Sequence, residues 1–328
     1  MSIENYLHNW ETNGLLALTL GQCLNWPKAY RKFDQVLVAG VGGSAISGDI
    51  LRALSLTRSR IPFYVHRAGR KFPAFAGPRT LVVLSSYSGN TEEIIESYQE
   101  ARRAKAKILI VSTGGKLGRF SKAQRIPWIE IPRGFQPRCA IIFLTIPLVY
   151  ALKKAGILAV KESELVEIAQ LARKVPRSRA RAIARTLAGK NICLYGASGL
   201  MEPVMTRWRT QLAENAKTLS STCAMPEMFH NEIEAWQFPK KAVRNTAALF
   251  FRDTEDPPVF RPKIAFAAKH IRKKGGKVLE IASQGKTPLA RIFSLILLGD
   301  RVSLELAKLN RVNPTPIPVL NAIKKIEL

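Results

Sequence analysis

Residues 85–93, Ser85-Ser86-Tyr87-Ser88-Gly89-Asn90-Thr91-Glu92-Glu93, follow the apolar run at 81–84 and precede the apolar pair at 94–95. This order of an apolar run, a hydroxyl-rich stretch and a helical pattern predicts a strand, a turn and a helix. Gly89 and Asn90 tolerate the positive φ that a tight turn requires. The stretch therefore predicts a strand-to-helix junction of an α/β fold.

Three hydroxyl side chains, Ser86, Ser88 and Thr91, lie close together in this turn. The first N–H groups of the following helix point into the same space, and hydroxyls beside a helix N-terminus form a phosphate site that requires no metal. The alternative is an ordinary helix cap, since Ser and Thr are common at that position. A cap requires one hydroxyl and the turn offers three, so the pattern favours phosphate binding.

Strands and helices alternate along the chain, and the pattern occurs twice. Apolar runs predict strands at 36–40, 62–66, 80–85, 107–112 and 128–131 in the first half, and at 191–195, 246–251 and 277–281 in the second. Such alternation predicts right-handed βαβ units and mostly parallel sheets. We predict two α/β domains, residues 1–155 with a helical lead-in and residues 156–328 with a helical connector at their start.

A glycine-rich turn, Gly40-Val41-Gly42-Gly43-Ser44, follows the first predicted strand and opens a helix. Its glycines allow the backbone to approach a ligand closely. The spacing fits neither a dinucleotide-binding fingerprint nor a P-loop, because no Gly-Lys-Ser/Thr follows. Ligands of parallel α/β sheets bind at the carboxyl ends of the strands, and both this turn and the turn at 85–91 are predicted to lie there.

The chain is strongly basic, with 51 Lys and Arg residues against 24 Asp and Glu and a formal net charge of +27. Such a charge suits a nucleic acid or an anionic substrate. The denser basic groups, at 173–185 and 269–277, contain no interleaved aromatic residues, and no nucleic-acid-binding motif accompanies them. We therefore favour a solvated basic surface and do not expect a nucleic-acid partner, although the field would attract phosphorylated small molecules.

No apolar run reaches the roughly 20 residues that a membrane-spanning helix requires, so we expect no membrane partner. The longest run, at 139–152, is predicted to be a buried helix. The first five residues lack the basic-then-apolar order of a signal peptide, and we expect a cytoplasmic protein. The cysteines, at positions 23, 139, 193 and 223, form no CxxC pair and indicate no metal site.

Two stretches of the second half set polar side chains among apolar ones: 211–217, which contains Glu214, and 225–233, which contains His230. The first is predicted to end a helix and the second to begin one, and the short loop between them lets both face one site. A carboxylate base and an imidazole acid suit proton transfer. The alternatives are a solvated helix face and a cap-turn residue. Arg138, after a proline at a predicted helix start, can stabilise an anion or is a surface residue of a loop.

The turns at 42–44 and 86–92 resemble those of SIS (sugar isomerase) domains. Two such domains in tandem resemble the archaeal-type bifunctional phosphoglucose/phosphomannose isomerases. The stretches that carry this resemblance are Pro137-Arg138, Glu214-Asn215-Ala216-Lys217, Pro226-Glu227 followed by His230-Asn231-Glu232, and the tail with Asn313-Pro314-Thr315-Pro316 and Lys324. The resemblance covers nearly the whole chain. It implies two SIS-type three-layer domains, each with a mostly parallel sheet flanked by helices, and no cofactor.

The resemblance also implies the substrate and how it binds. The substrate class is the hexose 6-phosphates, which the enzyme interconverts as aldose and ketose. The phosphate group would bind to the two turns of the first half, at Gly43, Ser44, Ser86, Ser88 and Thr91.

The same resemblance implies the chemistry. His230, contributed by the partner subunit of a homodimer, would open the sugar ring with the help of Lys324. Glu214 would move a proton between C1 and C2 through a cis-enediolate, and Arg138 would stabilise the charge of that intermediate. Thr315 resembles the threonine that is linked to accepting both C2 epimers.

A non-catalytic sugar-phosphate sensor built on SIS domains is the alternative function. It would retain the Ser/Thr turn, would not need Glu214, His230 and Lys324 together, and would usually carry a DNA-binding module, for which the sequence shows no pattern. Two details depart from the family pattern. Asn313 stands where the family often has Asp, and Lys325 beside Lys324 leaves the choice between the two lysines open.

Overall fold

The computed structural model describes residues 2–67, 71–323 and 326, and it divides the chain into two compact units. The first comprises Met1–Ala172 with Gly285–Ala290, and the second comprises Arg173–Gln284 with Arg291–Leu328. Residues 156–172, which the sequence assigns to the connector, thus lie in the first unit. The functional domain boundary after residue 155 stays a prediction, because compactness alone does not define a functional domain.

The first unit contains five strands that correspond to the five apolar runs of the first half. The strands are β1 (Gln35–Ala39), β2 (Phe63–His66), β3 (Thr80–Ser85), β4 (Lys107–Ser112) and β5 (Trp128–Glu130). The helices are α1 (Ile3–His8), α2 (Trp10–Gln22), α3 (Gly43–Arg58), α4 (Glu92–Arg103), α5 (Gly115–Gln124), α6 (Ile141–Lys154) and α7 (Glu162–Gln170). Short 3₁₀ helices lie at Pro137–Cys139 and Leu171–Arg173.

These strands form one parallel sheet in the order β2-β1-β3-β4-β5. The strand order reverses between β1 and β3, which pair from Gln35↔Thr80 to Ala39↔Leu84. At such a reversal the connections leave the two strands in opposite directions, and a crevice opens at the carboxyl ends of the strands. The turns that follow β1 and β3 therefore border this crevice.

The core of the first unit explains why its strands are continuous apolar runs. Every residue of β3 is buried, as are the last four residues of β1 and the last five of β4. A strand that is covered on both faces has no polar side to alternate with its apolar one. On one face Leu37, Val82 and Ile110 pack against Ile94 and Tyr98 of α4.

The second unit repeats the arrangement with four strands, β6 (Asn191–Ala197), β7 (Ser220–Met225), β8 (Thr246–Arg252) and β9 (Lys277–Ala282). The remaining helices are α8 (Arg177–Leu187), α9 (Glu202–Ala216), α10 (Lys240–Arg244), α11 (Phe260–Lys273), α12 (Pro288–Leu309, whose first residues belong to the first unit) and α13 (Pro318–Ile323). Short 3₁₀ helices lie at Glu227–Phe229 and Glu232–Gln237.

The second sheet is also parallel, in the order β7-β6-β8-β9, and reverses between β6 and β8. The turn after β8 differs from its counterpart after β3, because it carries Asp253, Glu255 and Asp256. Asp253 accepts hydrogen bonds from Arg291 Nε at 3.0 and 3.1 Å and from Ser283 Oγ at 2.7 Å. Glu255 also pairs with Arg291, and Asp256 pairs with Arg252. This turn therefore contains carboxylates in ion pairs where the turn after β3 contains hydroxyls.

The predicted α/β class with two parallel sheets is confirmed. The strand β7 is absent from the sequence prediction, and the helix expected from residue 225 is wrong, since two short 3₁₀ helices occupy that stretch. No helix within the described part of the chain is both long and apolar enough to cross a membrane.

Candidate active site

The crevice of the first unit is bordered by two helix N-termini. α3 begins at Gly43, shortly after β1 ends, and α4 begins at Glu92, shortly after β3 ends. Because Ala39 of β1 pairs with Leu84 of β3, the two helix starts lie side by side at one edge of the sheet. The first four N–H groups of a helix have no acceptor within it and carry a partial positive charge. The crevice therefore suits an anion.

The hydroxyl turn after β3 is folded around its own serines. Ser86 is 1% exposed, and its Oγ accepts a hydrogen bond from Gly89 N at 3.1 Å. Ser88 is exposed, and its Oγ accepts from Asn90 N at 3.1 Å. Gly89 has a φ of +68°, and a Cβ there would lie 1.9 Å from the carbonyl oxygen of Gly114. Only glycine fits, so the turn has one rigid shape.

Thr91 occupies the N-cap position of α4, but its side chain makes no capping hydrogen bond to that helix, all of whose residues are described. Its Oγ1 instead lies 2.8 Å from Ser86 Oγ. In that contact one hydroxyl donates to the other, so the pair keeps one O–H group that can donate to a ligand oxygen. The ordinary cap alternative does not account for Thr91, and the arrangement favours a phosphate-binding turn.

The glycine turn forms the other border of the crevice. Gly42 has a φ of +56° at the N-cap of α3, and the first turn of this helix contains no acidic residue. Ser44 is 8% exposed in that turn. The partial positive charge of this helix start is thus available to an anionic ligand.

Arg138 lies beside the start of α3. A Cβ on Gly43 would stand 3.8 Å from Arg138 Cα and 3.6 Å from the carbonyl oxygen of Pro137. The Arg138 side chain is buried, and one of its guanidinium nitrogens, Nη1, donates to Gln136 Oε1 at 3.0 Å. A buried guanidinium adds a full positive charge to the partial charges of the two helix starts. The structure thus brings together Gly43, Ser44, Ser86, Ser88, Thr91 and Arg138 at one edge of the first sheet.

In the second unit, Glu214 lies half-buried in the last turn of α9. Lys217, which ends this helix in the left-handed conformation, donates from Nζ to the carbonyl oxygens of Glu214 and Pro316, the second at 2.8 Å. Thr315 is exposed, and its N–H donates to Asn313 Oδ1 at 2.9 Å. Lys217 therefore holds the segment that contains Thr315 at the helix end that carries Glu214.

His230 follows β7 and is exposed. It borders a groove of about 380 Å³ with Phe229, Ile233 and the exposed Phe266 of α11. Its imidazole forms no hydrogen bond with any side chain or backbone group within the described ranges. An exposed imidazole beside apolar side chains is accessible to a ligand or to another chain.

Glu214 and His230 lie at opposite ends of β7, which corrects the expectation that a short loop lets both stretches face one site. α9 ends before the amino end of β7 at Ser220, and His230 follows its carboxyl end at Met225. A six-residue parallel strand rises roughly 17–20 Å at about 3.3 Å per residue. One chain therefore cannot bring these two side chains together within its second unit. Lys324 lies outside the described residues.

A hydrogen-bonded network fixes the segment after His230, and sequence reasoning missed it. Tyr195 donates from its hydroxyl to Glu232 Oε1 at 2.8 Å and accepts from Trp236 Nε1 at 2.9 Å. Burial, with the nearby Cys193 and Glu232, raises the pKa of Tyr195 far above its usual range, so the hydroxyl keeps its proton. The sequence did contain one sign of this network: Tyr195 lies in a predicted buried strand, and a buried phenol requires a hydrogen-bond partner.

The chain is similar to known proteins over most of its length. Residues 177–326 match the family described as the bacterial phospho-glucose isomerase C-terminal SIS domain. Over 301 residues the chain is 36% identical to the bifunctional phosphoglucose/phosphomannose isomerase of Caldicellulosiruptor bescii, covering 89% of this chain and 88% of that one. The protein of the same name from Thermoplasma acidophilum is 30% identical over 298 residues, 89% of each chain.

Solved structures show the same fold. The chain is similar to tagatose-6-phosphate ketose/aldose isomerase from Escherichia coli, with a TM-score of 0.69 and 15% identity over 96% of this chain and 95% of that one. These two parallel sheets flanked by helices are SIS-type α/β domains. Together with the 36% identity over most of the sequence, they show that the chain belongs to the bifunctional phosphoglucose/phosphomannose isomerase family.

Proposed function

We propose that the protein interconverts fructose 6-phosphate with glucose 6-phosphate and with mannose 6-phosphate. The observation that carries the proposal is the crevice between β1 and β3, where the Ser86–Thr91 hydroxyl pair, the start of α3 and the buried Arg138 border one space. The hydroxyls and the helix start suit a dianionic phosphate, and Arg138 adds a positive charge for the reacting end of the sugar. Membership of an isomerase family supports turnover rather than binding alone.

The hydroxyl turn, together with the start of α3, positions the sugar for reaction. In this proposal the 6-phosphate group binds the hydroxyls of Ser44, Ser86, Ser88 and Thr91 and the N–H group of Gly43. The phosphate itself does not react, so its binding energy serves to hold C1 and C2 in register with the catalytic groups.

Ring opening is the first chemical step. His230, aided by Lys324, transfers a proton to the ring oxygen while the C1 hydroxyl of an aldose gives its proton to water, so that the C1–O5 bond breaks and a free aldehyde forms. An imidazole can both donate and accept a proton near neutral pH, which suits a step that must run in both directions.

Proton transfer between C2 and C1 is the second step. The Glu214 carboxylate removes the proton from C2 of the open aldose, and the carbonyl oxygen gains negative charge to give a cis-enediolate. The same carboxyl group returns the proton to C1 while the proton of the C2 hydroxyl passes to O1, so that C2 becomes the carbonyl carbon of the ketose. Arg138 stabilises the enediolate charge, and protonation of C2 on either face in the reverse direction gives the glucose or the mannose epimer.

In this proposal the protein is a homodimer, and its two subunits together supply Glu214 and His230 to one active site. The separation of Glu214 and His230 along β7 supports it, because one second unit cannot join them. The exposure of His230 supports it as well. Each active site would then take Glu214 from one subunit and His230 from its partner.

The test is an assay of fructose 6-phosphate conversion to glucose 6-phosphate and to mannose 6-phosphate, in the presence of EDTA. We expect both products. Binding of fructose 6-phosphate without turnover would overturn the proposal in favour of a sugar-phosphate sensor, and turnover that requires added metal would overturn the proposed mechanism.

A further inference from the structure

A cavity of about 840 Å³ lies in the first unit, away from the crevice. The carboxyl ends of α3 and α6 line it, at Thr57–Arg58 and Lys154–Ala155, together with the segments that lead into β1 and β2. These elements meet at the amino edge of the sheet, whereas the hydroxyl turn lies at the carboxyl edge. The volume falls within the usual range of small-molecule sites.

The cavity is positively charged. Five of its described lining residues are cationic, namely Arg31, Lys32, Arg58, Arg60 and Lys154, and none of the described ones is acidic. Two of the five have local partners. Arg58 lies 3.8 Å from a Glu164 carboxylate oxygen, and Lys154 Nζ donates to the carbonyl oxygen of Leu24 at 3.1 Å.

Three cationic side chains remain for a ligand. Arg58 and Lys154 are in the last turns of their helices and offset the negative helix ends, which carry about half an elementary charge each. Arg31, Lys32 and Arg60 are exposed and form no ion pair with any residue in the described ranges. Their charge is therefore not balanced by the protein around them.

Three aromatic side chains form one wall of the cavity. Trp26, Tyr30 and Phe33 contact one another edge to face, with ring centroids 6.0 to 6.4 Å apart. Trp26 Nε1 donates to the carbonyl oxygen of Tyr30 at 2.9 Å, and the Tyr30 hydroxyl donates to the carbonyl oxygen of Ile108 at 3.0 Å. These bonds hold the rings in place before any ligand binds, which lowers the entropy cost of binding.

We infer that this cavity binds a nucleotide, with its phosphate groups on Arg31, Lys32 and Arg60 and its base against the aromatic wall. Cations recognise the phosphates, and aromatic faces stack on a flat ring. A planar base can lie against these rings along its whole face.

The cavity and the crevice are separate sites. α3 has 16 residues, which corresponds to about 24 Å at 1.5 Å per residue, and its amino end borders the crevice while its carboxyl end lines the cavity. A nucleotide in the cavity therefore does not occupy the sugar-phosphate position. The inference does not depend on the proposed isomerase mechanism.

The test is isothermal titration calorimetry of the full chain with ADP, with pyrophosphate and adenosine as the two partial ligands. We expect ADP to bind more tightly than either, and saturating glucose 6-phosphate to leave its affinity unchanged. The variant Arg31→Glu/Arg60→Glu should weaken ADP binding at least tenfold. The matched control Lys240→Glu/Lys241→Glu, which reverses two exposed charges in the first turn of α10, should not.

Three results would overturn the inference: no ADP binding, equal affinity for pyrophosphate, or displacement of ADP by glucose 6-phosphate. Equal ADP affinity in the two double variants would overturn it as well. If the charge-reversed variant fails to fold, Arg31→Gln/Arg60→Gln replaces it, and a less than threefold loss of affinity counts against the inference. Isomerase activity is measured separately, so its absence would not affect the result.

Discussion

Ser86 and Thr91 place their hydroxyl oxygens 2.8 Å apart across the turn that follows β3, although Thr91 occupies a helix N-cap position. Because of this contact, the Thr91 side chain does not cap α4, although its position predicts that it would. The contact also leaves both hydroxyls at the edge of the crevice, beside the start of α3.

Ser86→Ala should raise the KM for fructose 6-phosphate by about 10- to 100-fold while kcat falls much less. The serine hydroxyl is proposed to bond a charged phosphate oxygen, and such a bond contributes about 1.5–3 kcal/mol. Steady-state kinetics would measure both constants. Ser97→Ala removes an equally buried serine of α4, which donates to the carbonyl oxygen of Glu93, and should leave KM unchanged. A matching rise in the control would assign the effect to the fold.

Glu214→Gln should lower kcat by a factor of about 10² to 10⁴, the usual contribution of a general base, with little change in fructose 6-phosphate affinity. The amide keeps the shape of the side chain but cannot accept the C2 proton. Turnover and calorimetric binding would be measured side by side. Glu214→Asp, which retains a carboxylate at a shorter reach, should keep part of the activity. Lost binding in Glu214→Gln would instead make the residue structural.

Mixed subunits test whether His230 acts across a dimer interface. Glu214→Gln and His230→Ala should each be inactive alone. If Glu214 and His230 of one site come from different subunits, a one-to-one mixture with random exchange regains about a quarter of the wild-type activity. Half of the twofold-symmetric dimers are then hybrids, and each hybrid has one intact site. A mixture without activity, despite proven exchange, would place both residues of each site in one chain.

Removing one partner of the buried pair of Arg207 on α9 and Asp300 on α12 should strongly destabilise the second unit. The guanidinium donates to both carboxylate oxygens, at 2.8 and 3.0 Å, and both side chains are almost fully buried. Burial raises the pKa of Asp300, and the Arg207 charge opposes that rise. Arg207→Met leaves an unpaired buried carboxylate and should cost about 3–5 kcal/mol of unfolding free energy.

Arg207→Met/Asp300→Leu is the control for that loss, because it removes both charges. Chemical denaturation of the wild type, Arg207→Met, Asp300→Leu and the double variant would measure the coupling between the two residues. The double variant should be far more stable than Arg207→Met. A double variant as unstable as the sum of two single losses would show that packing, and not the ion pair, is responsible.

The sequence predicted the first sheet and the hydroxyl turn because both depend on local patterns. Strands buried on both faces are continuous apolar runs, and a strand-turn-helix junction lies within about a dozen residues. The strand β7 was not predicted because it lies at the edge of its sheet, with Ser221 and Thr222 exposed. Its sequence is Ser220-Ser221-Thr222-Cys223-Ala224-Met225. No apolar run marks such a strand.

Contacts between distant segments could not be predicted from one sequence. Arg138 lies beside Gly43 only because α3 and α6 are neighbours in the folded unit. The cavity likewise joins segments near residues 30, 60 and 155, none of which has a distinctive pattern of its own. The sequence analysis did not show that Glu214 and His230 lie at opposite ends of β7, because it did not predict β7.

The reversal of strand order recurs in the second sheet, between β6 and β8, but there the turn is acidic and Asp253 is used to bind Arg291. The same place in the two sheets therefore has two different uses: in the second unit an ion pair there ties the end of β8 to α12, whereas in the first unit hydroxyl groups remain there. A parallel sheet of this strand order thus leaves the chemistry of the turn to the sequence of the turn.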